Sequence, residues 1–147
     1  MEVDRFKLQG LLNIAYDEET MSCGHLVVLA LDRLANRKVF VPTKHPRGRM
    51  HQQRVIDGLA EQLAEKVEVP ANFDVALYIT TNPETGLDYY HLGLILMLAG
   101  ERWLLHVRVD ERSRLQRERE AQQRGLRLEG YYRLKDMEAA HGDASCL

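Results

Sequence analysis

The stretch YHLGLILMLAGERWLLHVRVD, residues 90–110, decides the fold class. Apolar residues alternate along both of its halves, and Gly100-Glu101 between them fits a two-residue turn with glycine first. This turn predicts an antiparallel hairpin that pairs Leu96 with Leu105. The face expected in the core carries Leu92, Leu94, Leu96, Leu98, Trp103, Leu105, Val107 and Val109.

Further strands are predicted on both sides of this hairpin. Alternating or compact apolar runs bounded by Gly, Pro, Asn and Asp are typical of strands. They occur over residues 5–16, 25–31, 38–41, 73–81 and 126–134.

Two helices are predicted between the strands. Residues 47–67 place Ile56, Leu59 and Leu63 at helical spacing, which indicates an amphipathic helix. Residues 110–124 have few apolar side chains, so this second helix is expected to be exposed. The expected fold is α+β: an antiparallel meander-type sheet in the order βββαβββαβ, with one amphipathic helix packed on it and one polar, exposed helix.

Length and composition suit one intracellular domain. The 147 residues are 45% hydrophobic and 29% charged, which is ordinary for a globular protein. We expect a single α+β domain over residues 1–135 and a flexible C-terminal tail over 136–147. The first residues do not resemble a signal peptide, and the two cysteines, Cys23 and Cys146, suggest no structural disulfide. A cytoplasmic location is therefore expected.

Basic residues concentrate in two segments, 44–54 and 108–127. The first lies at the predicted start of the amphipathic helix, where free N–H groups favour an anion. The alternative is a solvated turn whose arginines pair with Asp57 or Glu61. The second segment is an arginine-rich surface for nucleic acid or an acidic protein, or an exposed helix without a ligand. The candidate binding residues are Lys44, His45, Arg47, Arg49, Arg54, Arg114 and Arg117.

One acid–base pair is suggested by the hairpin. The predicted register places His91 opposite Asp110, and a carboxylate can orient an imidazole and raise its basicity. The alternative is a polar pair at the sheet end, or a helix cap made by Asp110. The same register separates His91 from His106 by about 13 Å, too far to share a metal.

No other motif indicates chemistry. Cys23-Gly24-His25 is expected to be a buried thiol beside a histidine at a strand start. His45 and His51 lack the spacing that places two ligands on one helix face. No metal, cofactor or catalytic residue is predicted from these patterns.

The sequence favours a small non-enzymatic accessory or regulatory protein that acts through protein–protein contacts, without a membrane. One alternative is a protein that binds the phosphate backbone of nucleic acid through segments 44–54 and 108–127. Another is a small enzyme that uses the His91–Asp110 pair. A homodimer is expected, because strands 5–16 and 126–134 would be long, apolar edges of the sheet.

Overall fold

The computed structural model describes residues 2–41, 63–81, 84–86 and 88–137 of the chain. In these residues the order of elements is two helices, five strands, a third helix and a sixth strand. The helices are α1 (Arg5–Gln9), α2 (Cys23–Ala35) and α3 (Glu118–Gln123). The strands are β1 (Ala64–Val67), β2 (Val75–Thr81), β3 (Asp88–Leu98), β4 (Glu101–His106), β5 (Arg114–Arg117) and β6 (Arg127–Leu134).

The six described strands form one sheet in the order β1-β6-β2-β3-β4-β5, and all neighbours are antiparallel. The predicted α+β class with an antiparallel sheet is therefore confirmed. Strand β6 lies inside the sheet, between β1 and β2. The edges of the described sheet are β1 and β5, so the expectation that residues 126–134 form an edge is wrong.

Helix α2 replaces the strand predicted over residues 25–31. The Ser22 hydroxyl accepts from the His25 backbone N–H, and His25 Nδ1 accepts from the Ser22 N–H at 3.1 Å, which makes a capping box. Asn36 ends the helix in a left-handed conformation, with φ of 52°. The short apolar run suits either structure, but its burial continues at helical spacing. The buried residues are Cys23, Gly24, Leu26, Val27, Ala30, Leu31 and Leu34.

The strand predicted over residues 5–16 is also wrong. Asp4 Oδ1 accepts hydrogen bonds from the N–H groups of Phe6 and Lys7, and this N-cap begins the short helix α1. Phe6 is 86% exposed, so it does not contribute to the core. Val39 forms only an isolated bridge with Asp136, so the predicted strand 38–41 is reduced to that contact.

The central hairpin has the predicted faces but not the predicted turn. Leu96 pairs with Trp103, and the turn is Ala99-Gly100, whose φ angles of 51° and 77° define a type I′ turn. The pairing is therefore shifted by two residues relative to the prediction. Because side chains alternate with period two, this shift leaves the side chains of β3 and β4 on their predicted faces. Val109, which was predicted in the core, lies beyond the end of β4 and is 49% exposed, so that part of the prediction is wrong. Burial of Leu94, Leu96, Leu105 and Val107 is confirmed.

Both predicted helices need correction where they are described. Of the segment 47–67, residues 47–62 lie outside the described residues, and Ala64–Val67 is strand β1, paired with β6. Of the segment 110–124, Arg114–Arg117 is strand β5, paired with β4. Only Glu118–Gln123 is helical there, as α3. Sheet pairing satisfies backbone groups that a short polar helix would expose to water, so it overrides the local pattern.

Helices α2 and α3 lie on opposite faces of the sheet. Helix α2 packs on the face that carries Leu92, Leu94 and Leu96, in the larger of two hydrophobic clusters. The smaller cluster joins Ala121 of α3 and the adjacent Leu126 to Tyr78, Ile95 and Leu104. The α2 face thus supplies most of the apolar core.

The end of the described chain is held to the segment that follows α2. Arg37 Nε lies 2.6 Å from Asp136 Oδ1, and the Met137 N–H donates to the Lys38 carbonyl. Residues 138–147 of the predicted tail are outside the described residues, and the domain boundary stays a prediction. None of the described helices is long and apolar enough to cross a bilayer.

Candidate active site

The seven predicted binding residues divide into two groups. Lys44, His45, Arg47, Arg49 and Arg54 lie outside the described residues, so their prediction is untested. Arg114 and Arg117 lie on β5. Arg117 Nε is 3.5 Å from Glu101 Oε2, and its guanidinium lies 5.3 Å from the centre of the Trp103 ring. Arg114 pairs with Glu111.

The structure replaces the predicted His91–Asp110 pair with a pair of histidines. His91 is 4% exposed, and its Nε2 lies 2.8 Å from Nδ1 of His106. Asp110 lies on an exposed turn with φ of 61°. The predicted separation of about 13 Å between the histidines is therefore wrong, because the observed hairpin register brings His106 two residues closer to His91 along the strands.

Gly93 lies on the same face of the sheet as the two histidines. Continuing the observed register by one residue places Gly93 opposite His106, and His91 is then the diagonal neighbour on the same face. A Cβ at position 93 would lie 2.3 Å from Cδ1 of the buried Leu104 side chain. Glycine therefore keeps this strand face close to the side chains of β4.

A third side chain extends the pair into a relay. His106 Nε2 lies 3.0 Å from Oε1 of Gln116, on β5. An amide oxygen only accepts, so Nε2 of His106 carries a proton and its Nδ1 is the acceptor. His91 then donates from Nε2, which leaves His91 Nδ1 as the basic nitrogen. Gln116, His106 and His91 thus fix one tautomer.

Burial keeps the central member of this relay neutral. It lowers the pKa of His106 from its ordinary 6.5 to about 4, while the hydrogen bond to Gln116 raises it. Arg114 and Arg108 lower the pKa of His106 further through their charges. At neutral pH His106 therefore orients His91 as an uncharged imidazole.

Cys23 lies at the first position of α2, directly after the Ser22 cap. It forms no disulfide and is buried. Burial raises the pKa of Cys23 to about 11, while hydrogen bonds from the backbone N–H groups of Leu92 and Gly24 lower it. The thiol is therefore protonated at pH 7, so nucleophilic attack requires a base.

A small cavity connects Cys23 with His91. It measures about 10 Å³, which is near the lower limit for one water molecule. The cavity lies at the sheet end where β4 has already stopped, so side chains from both faces of the sheet reach it. Its lining consists of Tyr16, Cys23, Thr80, His91, Val107, Arg108 and Val109.

Tyr16 closes one side of the cavity. Its backbone N–H donates to the Glu111 carbonyl at 2.9 Å, which ties it to the turn after β4. Burial raises the pKa of Tyr16, and the charges of Cys23, Glu18, Asp110 and Asp17 act in the same direction. The phenol is therefore a neutral O–H donor at pH 7, in a cavity that Cys23 also lines.

These parts are the kinds of group that nucleophilic catalysis uses: a thiol, an imidazole that lines the same cavity, and a third group that hydrogen-bonds the imidazole. Among the described residues, no group of three or more His, Cys, Asp or Glu side chains converges as a metal site. No family model, no curated protein and no solved structure matches this chain. The assignment therefore depends on the geometry.

Sequence reasoning missed this site for two reasons. Residues 25–31 were expected to be a strand, so Cys23 was not placed at a helix N-terminus. The hairpin turn was shifted by one residue, which separated His91 from His106. A usable signal was Ser22 followed by His25 and an apolar period that continues to Leu34, because this pattern indicates a capped helix that begins at Cys23.

Proposed function

We propose that the protein is a cysteine-dependent acyl-transfer enzyme, a hydrolase when water is the acceptor. Cys23 is the nucleophile, His91 is the general base and acid, and His106 with Gln116 orients His91. The observation that carries this proposal is the 2.8 Å contact between His91 Nε2 and His106 Nδ1, in a histidine that shares a cavity with Cys23.

The reaction follows from the tautomer of His91. His91 Nδ1 takes the proton of the Cys23 thiol as the sulfur attacks an acyl carbon. The leaving amine or alcohol receives this proton from His91 when its bond to carbon breaks, and a thioester remains on Cys23. Water then gives a proton to His91 and attacks the thioester, which releases the acid and restores the thiol.

The surroundings of Cys23 support stabilisation of the developing negative charge. The N-terminus of α2 places the positive end of the helix dipole beside Cys23. The Tyr16 hydroxyl lines the same cavity and is neutral at pH 7. Donors that are fixed in a water-poor site contribute strongly to such catalysis.

Alkylation of Cys23 by iodoacetamide at pH 7 tests the central pair without a known substrate. Peptide mass spectrometry follows Cys23 and Cys146 separately in one sample. We expect His91→Gln to slow alkylation of Cys23 about 100-fold, since positioned base catalysis contributes on this order. Alkylation of Cys146 should not change. An acyl adduct on Cys23 after treatment with p-nitrophenyl acetate would show the first half of the reaction.

His25→Gln is the matched control, because glutamine also suits the third position of a capping box and His25 does not line the cavity. Equal alkylation of Cys23 in the wild type and in His91→Gln would contradict the proposal. So would an acetyl group that accumulates only on Cys146.

The functions expected from the sequence stay predictions. A non-enzymatic accessory role does not require the buried relay, and five of the seven proposed anion-binding residues are outside the described residues. The edge argument for a homodimer no longer applies, since β6 is internal and residues 5–9 are helical. Light scattering at about 100 µM, where even a weak dimer would be detected, tests association, and retention on heparin tests phosphate binding.

A further inference from the structure

A cluster of three arginines lies beside the candidate active site. Arg108, Arg114 and Arg124 all pair with the carboxylate of Glu111. Arg108 Nε lies 3.8 Å from Oε2, and Arg124 Nη2 lies 3.7 Å from Oε1, the same oxygen that pairs with Arg114. One carboxylate cannot neutralise three guanidinium groups, so this cluster carries excess positive charge.

Arg108 connects the cluster to the cavity. It follows β4, and its side chain lines the cavity together with Cys23 and His91. Its Nη1 donates to the Arg124 carbonyl at 3.4 Å, which holds the guanidinium between the cavity and the cluster. The Arg108 side chain is 21% exposed, compared with 45% for Arg124, so Arg108 is the less hydrated of the two.

The charges of this cluster affect the pKa of His106 in the relay. Arg114 and Arg108 both contribute to the lowered pKa of His106, while Glu111 acts in the opposite direction. An anion bound beside Arg108 would therefore lie in the same electrostatic environment as His106, which orients the proposed general base. Guanidinium groups bind carboxylates through paired, charge-assisted hydrogen bonds.

We propose that Arg108, supported by Arg114 and Arg124, binds a carboxylate of the acyl substrate close to the bond that is cleaved. This inference rests on the proposed acyl-transfer function. It assigns the substrate to acidic acyl compounds, such as a peptide with an acidic side chain or a free carboxyl terminus near the cleaved bond.

A pair of thiol reagents tests this inference directly. Iodoacetate and iodoacetamide alkylate by the same displacement, but only iodoacetate carries a carboxylate. We expect the ratio of the iodoacetate rate to the iodoacetamide rate to be about 10-fold higher at Cys23 than at Cys146. Arg108→Gln should lower the ratio at Cys23 about 5-fold, as expected for loss of one nearby charge.

Three variants control this measurement. Arg108→Lys keeps the charge, so it should retain most of the preference if the fold is intact. Arg119→Gln removes an exposed charge of α3 that lies outside the cluster, so it should leave the ratio unchanged. Arg124→Gln should lower the ratio less than Arg108→Gln, because Arg124 does not line the cavity.

The outcomes separate the two proposals. If Cys23 reacts with neither reagent at pH 7, the acyl-transfer function fails. If Cys23 reacts with both at rates that show no preference over Cys146, or no effect of Arg108→Gln, only the carboxylate site fails. Protection of Cys23 by inorganic phosphate or a short oligonucleotide, but not by glutarate, would assign the cluster to phosphate and overturn the carboxylate inference.

Discussion

The two faces of the sheet bury different kinds of side chain. The face under α2 is packed with Leu, Val and Ala, and Cys23 is at its margin. The face under α3 has a smaller apolar cluster beside the buried polar residues His91, His106 and Glu118. Burial of hydrocarbon is the main stabilising term in folding, whereas buried polar groups need partners. The α2 face therefore holds the fold, and the opposite face fixes the orientation of polar groups.

The largest effect on stability should come from the α2 face. Leu96 is fully buried under α2, so Leu96→Ala should lower the free energy of unfolding by about 2–5 kcal/mol. Urea denaturation measures this loss. Leu128→Ala on β6 is the control, because Leu128 is 37% exposed and should cost much less. A loss below about 1 kcal/mol at Leu96 would mean that this face does not dominate the core.

Low pH should reduce the stability of the protein through His106, on the face of the sheet under α3. The pKa of His106 falls from 6.5 in the unfolded chain to about 4 in the fold, so between these pH values the unfolded chain binds more protons. The contribution of His106 to the free energy of unfolding is fully present above about pH 6.5. It is lost as the pH falls toward 4, and the loss amounts to about 3 kcal/mol. Urea denaturation from pH 8 to pH 4 should show this loss, and His106→Gln should remove most of it. Parallel curves for both proteins would contradict the assignment.

Sequence patterns located the α2-facing side of the hairpin because period-two burial is insensitive to a shift of two residues. They did not predict the contact between His91 and His106, because that contact depends on the register itself. The choice between Gly100-Glu101 and Ala99-Gly100 as the turn is small in energy and is decided by packing along the whole sheet. An error of two residues in the hairpin register therefore leaves the predicted core face unchanged but separates the two histidines of the site.

The secondary structure predicted for the amino-terminal region was wrong for a different reason. Residues 25–31 are apolar throughout, and so short a run fits a buried strand or a buried helix. The cap at Ser22 and the burial of Leu34 favour the helix, but both depend on flanking residues rather than on the run itself. The cavity that both Cys23 and His91 line also requires α2 to pack on β3, a contact between segments far apart in sequence.

A smaller loss of stability is expected at Gly93, which lies opposite His106 in the observed register. Gly93→Ala would place its Cβ against Leu104, which is buried and has little room to move. We expect a loss of about 1–3 kcal/mol, typical of overpacking. Crystallography or NMR should show displacement of Leu104. In Gly93→Ala with Leu104→Ala, much of the strain should be relieved, and a strictly additive loss would exclude this clash as the cause.

The smallest effect on stability, and the sharpest test of the polar face, should come from Gln116. Its amide oxygen accepts from His106, and this hydrogen bond raises the pKa of His106 against the effect of burial. Gln116→Leu should therefore lower that pKa further, whereas Gln116→Glu should raise it by supplying a carboxylate. The loss of one half-buried hydrogen bond should cost only about 1 kcal/mol in Gln116→Leu.

The two Gln116 variants should change the reactivity of Cys23 as well as the titration of His106. Without an acceptor at position 116, neutral His106 can move its proton to Nδ1, and His91 Nε2 then loses its acceptor. Nitrogen NMR of the imidazoles should show this change of tautomer in Gln116→Leu, together with slower alkylation of Cys23. Gln116→Glu should keep the wild-type tautomer and most of the alkylation rate. If both variants keep the wild-type tautomer and rate, Gln116 only fills space on β5, and the relay ends at His106.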